Sequence, residues 1–375
     1  MADPRSICMQ RRALAIFTVA LALAAPRVVA AEQLGKLGGA VKRVQQFKDV
    51  EMTDAEEQQL GAEVSQRIRA RYGVVQNQAA HRYVTLVGTS LAQVSGRPNL
   101  AWKFIVLDVD AVNAFAAPGG FVHVTKGALA NLKNESELAG LLGHEITHVT
   151  DKHTIRAIQK GKLVQMGAEE KMSGALMTKL ADKAYEIVDT GFGRGDELEA
   201  DEKGIVLANT VGYAPSGMNG FLNMLMERNK AASSEERNGL FASHPQTRER
   251  VEKMAKQIAS AKLTAAATVD SRYTSTIMFK PVPQSEVATI EAGSAGAAGG
   301  SKPAEEPKKK GIGGLTSKLK PGGGEKKSAQ VTGSGAARGG AGEDGNAKGG
   351  GNPALVAVAV TAAEVAAFKK AGGLK

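Results

Sequence analysis

A mainly helical α+β domain carrying a small sheet is what this sequence predicts, on three observations. The first is a pair of helical regions with their caps in place. Thr53 to about Val94 opens on overlapping capping boxes, Thr53-x-x-Glu56 and Asp54-x-x-Glu57. Asn134, with Glu137 at the capping-box position, precedes an apolar stripe of Leu138, Leu141, Leu142, Ile146 and Val149, which predicts an amphipathic helix. The second observation is a change of pattern between those regions: Trp102 to Val109 and Phe121 to Thr125 are short, β-branched runs, the latter following a Pro118-Gly119-Gly120 turn. The third is size, since roughly 210 residues from Thr53 to Lys262 suffice for one well-packed domain.

The flanks divide differently. Arg5, Arg11 and Arg12 precede an apolar run from Ala13 to Ala25, and Val28-Val29-Ala30-Ala31 offers small cleavage positions, so residues 1–31 are expected to be a secretory signal peptide and the mature chain periplasmic or otherwise exported. Cys8, the single cysteine, falls in that leader, which leaves no disulfide after cleavage. The compact domain is placed at 48–262, with an extension at 263–292 in which Ser271 to Val282 is a candidate further strand. Residues 293–352 are rich in Gly, Ala and Lys with few large apolar side chains, the composition of a disordered linker. Residues 353–375 are expected to form a short strand, Ala354 to Val360, and a helix opened by Thr361-x-x-Glu364 and running to Lys370. Deleting residues 293–375 is expected to leave the domain folded.

No later apolar run reaches the length of a membrane span, so no integral membrane segment is expected in the mature chain. The formal net charge of +10 is confined to the ends: residues 1–30 carry +3 and residues 301–375 carry +7, which leaves residues 31–300 neutral. A nucleic-acid partner is therefore not expected, because the domain itself lacks a basic excess.

The residues richest in chemistry are Gly143-His144-Glu145-Ile146-Thr147-His148, inside the predicted helix. Two histidines four apart share one helical face, so their imidazoles can converge on one Zn²⁺ while Glu145 reaches a water beside it. His153, five residues after His148, is expected either beside the ligands or at the surface, and the glycine and third histidine of the metzincin pattern are missing. A third ligand is best sought in Asp196-Glu197-Leu198-Glu199-Ala200-Asp201. Glu197 and Asp201 share a helical face there, with Glu199 roughly opposite; Glu197 is the expected ligand, and Asp201 the acceptor that orients a ligand histidine.

These residues, with Asn113-Ala-Phe-Ala-Ala-Pro-Gly-Gly-Phe-Val-His-Val-Thr-Lys-Gly127 and Ser243-His244-Pro245, make residues 50 to 260 resemble the gluzincin metallopeptidase family of the CAAX prenyl protease and HtpX, and most of all its soluble periplasmic BepA- and LoiP-like members. The resemblance implies a zincin-type catalytic domain holding one Zn²⁺ per chain on His144, His148 and Glu197, with Glu145 as general base and Asp201 as the acid of the Glu-x-x-x-Asp motif. It implies polypeptide substrates, outer-membrane proteins among them. It also implies that His244 and Arg250 reach the metal region, where a donor would stabilise an oxyanion, although Ser243-His-Pro reads equally as a capped helix start with Pro245 in its first turn. Asn113, Phe115, Gly119 and Gly120 fall in the segment where the resemblance places a substrate-binding edge strand, and each reads singly as ordinary turn or core chemistry. If His244 sits on the metal at rest it would hold the site latent; if it serves the oxyanion it would assist turnover.

Overall fold

A computed structural model of the chain describes residues 52–160, 174–230, 240–244, 247–283, 287 and 355–375. The expected leader and the linker 293–352 lie outside the described residues. Helix α1, Asp54–Tyr72, starts with Thr53 and Glu56 closing a reciprocal capping box. Glu57, expected to close an overlapping box, instead turns inward to Arg97 and to the amide of Gly119. A second helix, α2, Gln78–Ala92, is capped by Asn77.

Three strands follow, β1 Lys103–Leu107, β2 Ala114–Ala117 and β3 Phe121–Thr125, in the order β1-β3-β2. β1 runs parallel to β3 with Lys103 opposite Phe121, and β2 runs antiparallel to β3 with Phe115 opposite His123. The β2–β3 link is the single turn Pro118–Gly120, where Gly119 adopts φ 71° and a side chain would strike the backbone of Gln58. β2, a strand the sequence patterns did not mark, is a sheet edge, and all four of its residues are buried.

After α3, Lys126–Asn131, comes the motif helix α4, Glu135–Thr150. Asn134 caps it as expected. Glu137 does not complete the box and accepts instead from the amide of Lys133 at 2.7 Å. The expected one-sided stripe is a correction too, since every residue from Glu135 to Val149 is buried. A helix enclosed on all sides is a core helix, and its polar residues need partners inside the protein. Its apolar residues pack with Val84, Val87 and Leu91 of α2 and with Phe221, Leu222 and Leu225 of α8, Gly217–Lys230. A second apolar cluster joins Leu60, Val64 and Ile68 of α1 to Phe115 of β2 and to Ala181 and Ala184 of α6, Gly174–Thr190. Helix α5 is His153–Lys160 and α7 is Arg194–Val211. Helices α9, Leu240–Ser243, and α10, Thr247–Ser260, complete the set around the motif helix.

The extension beyond Lys262 belongs to this core. The strand expected at Ser271 to Val282 is instead helix α11, Asp270–Thr276, and its buried Tyr273 donates to the carbonyl of Leu129 at 2.6 Å. A tyrosine hydroxyl needing a buried acceptor outweighs the β-branched look of the segment. The terminal helix α12 forms as Ala362–Ala371 with its capping box closed. Residues 355–360 before it make no strand. The segment packs on the domain through Val365, which is 1% exposed. Among the described residues no helix is long and apolar enough to cross a membrane.

Candidate metal centre

Two helices touch to make the centre. Gly143 of α4 faces Gly204 of α7 so closely that a Cβ on Gly143 would lie 2.7 Å from the Gly204 carbonyl oxygen, and one on Gly204 would lie 2.8 Å from the His144 amide. Only a pair of glycines lets the backbones approach this far. The contact sets the His-Glu-x-x-His face of α4 directly opposite Glu197 and Asp201 of α7.

Across that contact the expected ligands converge. The Nε2 atoms of His144 and His148 are 3.0 Å apart, and Glu197 brings Oε2 to 3.6 Å from the first and Oε1 to 3.5 Å from the second. His244, following α9, adds its Nδ1 at 2.9 Å from Glu197 Oε1 and 3.3 Å from His144 Nε2. These four side chains are all buried and each offers a ligand atom within 4.8 Å of the others. Burial pushes His148 well below the usual imidazole range, which keeps it neutral and able to ligate. Burial acts to raise Glu197, but His244 and Arg250 outweigh it and hold the carboxyl well below its ordinary range, as a carboxylate. Two imidazoles and a carboxylate are the donor set that suits a divalent ion of borderline softness.

Glu145 fits the same conclusion. It is wholly buried, and neither carboxylate oxygen has a hydrogen-bond partner; His244 Nε2 lies 3.8 Å away. Burial raises its pKa. A buried carboxyl left without partners requires an explanation, and a metal and its water beside it provide one.

Around the ligands lies a supporting layer. Asp201 accepts from His144 Nδ1 at 3.0 Å, which turns Nε2 toward the centre. Arg250 of α10 holds Asp201 through two nitrogens at 2.7 and 2.8 Å, reaches Glu197 at 2.9 Å and donates to the carbonyl of His244 at 3.2 Å. On the other ligand, His153 places Nδ1 2.7 Å from His148 Nδ1 and Nε2 3.2 Å from Glu199. Of the two places the sequence allowed for His153, the structure takes the one beside the ligands. Glu199 points away from the centre toward Arg156 and Lys203, as its helical position predicted. Ser243 is the last residue of α9, and the described part of α10 starts at Thr247; the helix start expected at Ser243-His-Pro falls partly outside the described residues, which omit Pro245.

The residues proposed for substrate are placed less directly. Asn113 accepts from Ser243 at 3.2 Å, next to His244. Phe115 stacks on Tyr72 with ring centroids 5.5 Å apart, a core position, which leaves only its main chain for another role. The amide of Gly119 donates to Glu57 at 3.0 Å, and Gly120 is buried at φ 98°. Sequence reasoning passed over Phe192, whose ring stacks on His148 at 4.1 Å and 18°, and over the Gly143–Gly204 contact. Glycine inside two otherwise helical segments was the available signal for the second; the first had none.

Residues 78–258 match the profile of peptidase family M48. The chain carries an M48 metallopeptidase domain. Over 204 residues it is 27% identical to a beta-barrel assembly-enhancing protease of Yersinia pestis, a match covering 51% of this chain and 41% of that one. It is 32% identical over 179 residues to a mitochondrial metalloendopeptidase of Schizosaccharomyces pombe, covering 46% and 51%. It is 29% identical over 158 residues to the metalloprotease YcaL of Escherichia coli, covering 40% and 60%. The chain thus spans about two fifths of the length of the beta-barrel assembly-enhancing proteases it matches.

Proposed function

We propose that this M48 domain is a zinc-dependent endopeptidase that hydrolyses peptide bonds of extended or misfolded envelope proteins, with His144, His148 and Glu197 as metal ligands and Glu145 as general base. The observation that carries this is the pairing of two converging imidazoles with a buried Glu145 whose oxygens make no hydrogen bond. Bound there, Zn²⁺ would supply Lewis acidity to the scissile carbonyl and acidify a water. Glu145 takes the proton of the attacking water and returns it to the leaving amine; its raised pKa suits both transfers. Asp201 holds the His144 ring and His153 the His148 ring. Arg250 has its donors committed to Asp201, Glu197 and the His244 carbonyl, a placement that supports a positioning role over direct contact with substrate. The main chain of β2, with Asn113 and the Gly119-Gly120 turn, is the proposed rail for an extended peptide. Export to the periplasm rests on the leader-like residues 1–31, and outer-membrane substrates on the name of the Yersinia relative.

A second reading, a chaperone or binding module with a latent protease site, is favoured by one observation. His144, His148, Glu197 and His244 are each no more than 3% exposed, with Phe192 over His148 and His244 against Glu197. Cleavage of casein or of an unfolded outer-membrane protein by wild type and by Glu145→Gln separates the two: loss in the variant supports the peptidase, and equal, metal-independent handling of substrate by both supports the chaperone.

A further inference from the structure

The two helices that carry the proposed ligands end, on the side away from the centre, under the C-terminal segment of the same chain. Glu135, the first residue of α4, is wholly buried and accepts from Tyr83 and Tyr213 at 2.5 Å each and from Arg272 Nε at 2.8 Å, with Arg272 Nη2 on its other oxygen. Arg272 is in turn held by the tail: its guanidinium carbon lies 3.8 Å from the centroid of the Phe368 ring, and Nη1 donates to the Phe368 carbonyl at 2.7 Å. The same ring meets Tyr83 edge-on at 5.9 Å. At the end of α7, the amide of Lys375 donates to the carbonyl of Val211 at 2.7 Å, and Leu374 lies against Gly212. Val365 is the buried anchor, and Glu364 pairs with Arg82 of α2 at 2.6 Å.

We propose that this face is a peptide-docking site built for the chain's own C-terminal segment, residues 361–375, and that its occupancy holds the first turn of α4 and the last turn of α7 in register. The contacts sort into the parts such a site needs. Val365 and Phe368 supply apolar and aromatic burial, the Phe368 and Val211 carbonyls give directional hydrogen bonds, and the half-exposed Arg82–Glu364 pair adds orientation with little energy. The segment reaches one end of each ligand-bearing helix and touches no proposed ligand. Its effect is therefore on the helices' relative position, at the first turn of α4 and the last turn of α7, with the Gly143–Gly204 contact midway along each helix.

The test is hydrogen exchange on the full chain. Phe368→Ala and, separately, Val365→Asp are expected to raise exchange by about tenfold or more in the first turn of α4 and in residues 208–213, beyond the rise within the tail itself. A synthetic peptide of residues 355–375 added to the Val365→Asp protein is expected to bind and to restore slow exchange at both places. Exchange that rises in residues 361–375 alone would overturn the proposal, as would a peptide that fails to bind the well-folded variant. Neither variant touches the ligand cluster, so the readout is independent of whether the domain cleaves peptides.

Discussion

The motif helix α4 carries a buried glutamate near each end, and the two are opposites. Glu135 is wholly buried with both oxygens saturated by Tyr83, Tyr213 and Arg272. Glu145, two turns and more further on, is equally buried and has no hydrogen-bond partner, with only the His244 imidazole 3.8 Å away. A protein that stabilises a fold saturates its buried charges, and one that keeps a charge unsaturated does so where another group is to arrive. One helix thus holds a structural carboxylate and a reserved one, and the difference lies in their neighbours.

The comparison breaks first at the ligands. His144→Ala, His148→Ala and Glu197→Ala are each expected to abolish stoichiometric zinc binding measured by metal analysis, because two remaining protein donors leave an incomplete shell. Glu199→Ala, whose carboxylate faces Arg156 and Lys203, is expected to retain the metal. Zinc lost from Glu199→Ala and kept by Glu197→Ala would reverse the assignment. At the structural end, Glu135→Ala is expected to cost about 3–5 kcal/mol in chemical denaturation, since it leaves Arg272 and two tyrosine hydroxyls without their acceptor. A loss below about 1 kcal/mol would show that the cluster is not a stabilising one.

Gly204→Ala tests the helix contact that joins the two halves of the centre. The added methyl meets the His144 backbone at 2.8 Å, so it should cost about 1–3 kcal/mol and weaken metal binding in step. His244→Ala gives opposite signs for its two roles: higher basal cleavage if the imidazole seals the site at rest, lower turnover with metal retained if it serves the oxyanion. Unchanged kinetics would assign His244 to helix packing alone.

At neutral pH the smallest effect is expected at His123, buried on β3 against Ser65 and pushed by burial down to about 3. It folds neutral, whereas the unfolded chain takes up a proton below its ordinary value of 6.5, so stability is full above that pH and falls as pH drops toward 3. The slope contributed is at most about 1.4 kcal/mol per pH unit, and His123→Gln is expected to flatten it in melting curves across that window. An unaltered slope would mean other groups carry the acid response.

Much of this was legible in the sequence wherever the signal is local. The caps Thr53, Asn134 and Thr361 mark helix starts, the β-branched runs mark β1 and β3, and the four-residue spacings place His144 with His148 and Glu197 with Asp201. What escaped depends on partners distant in the chain. Tyr83, Tyr213 and Arg272 converge on Glu135 across most of the domain with no shared spacing, and helix α11 was mistaken for a strand because the need of Tyr273 for the Leu129 carbonyl is invisible along the chain. The tail's helix is legible from its capping box, but where it docks is not: it is too small to bury a core of its own, and its apolar residues find their partners on α2, Arg272 and the end of α7.

The comparison of the two glutamates is tested most directly by Glu145→Gln and Glu135→Gln measured side by side for zinc content, thermal stability and cleavage of an unfolded outer-membrane protein. Glu145→Gln should keep its zinc, melt no lower than wild type and lose cleavage by about 10²–10⁴-fold or more, whereas Glu135→Gln should melt well below wild type and still cleave at temperatures where it is folded. Cleavage retained by a zinc-loaded Glu145→Gln protein would contradict the account.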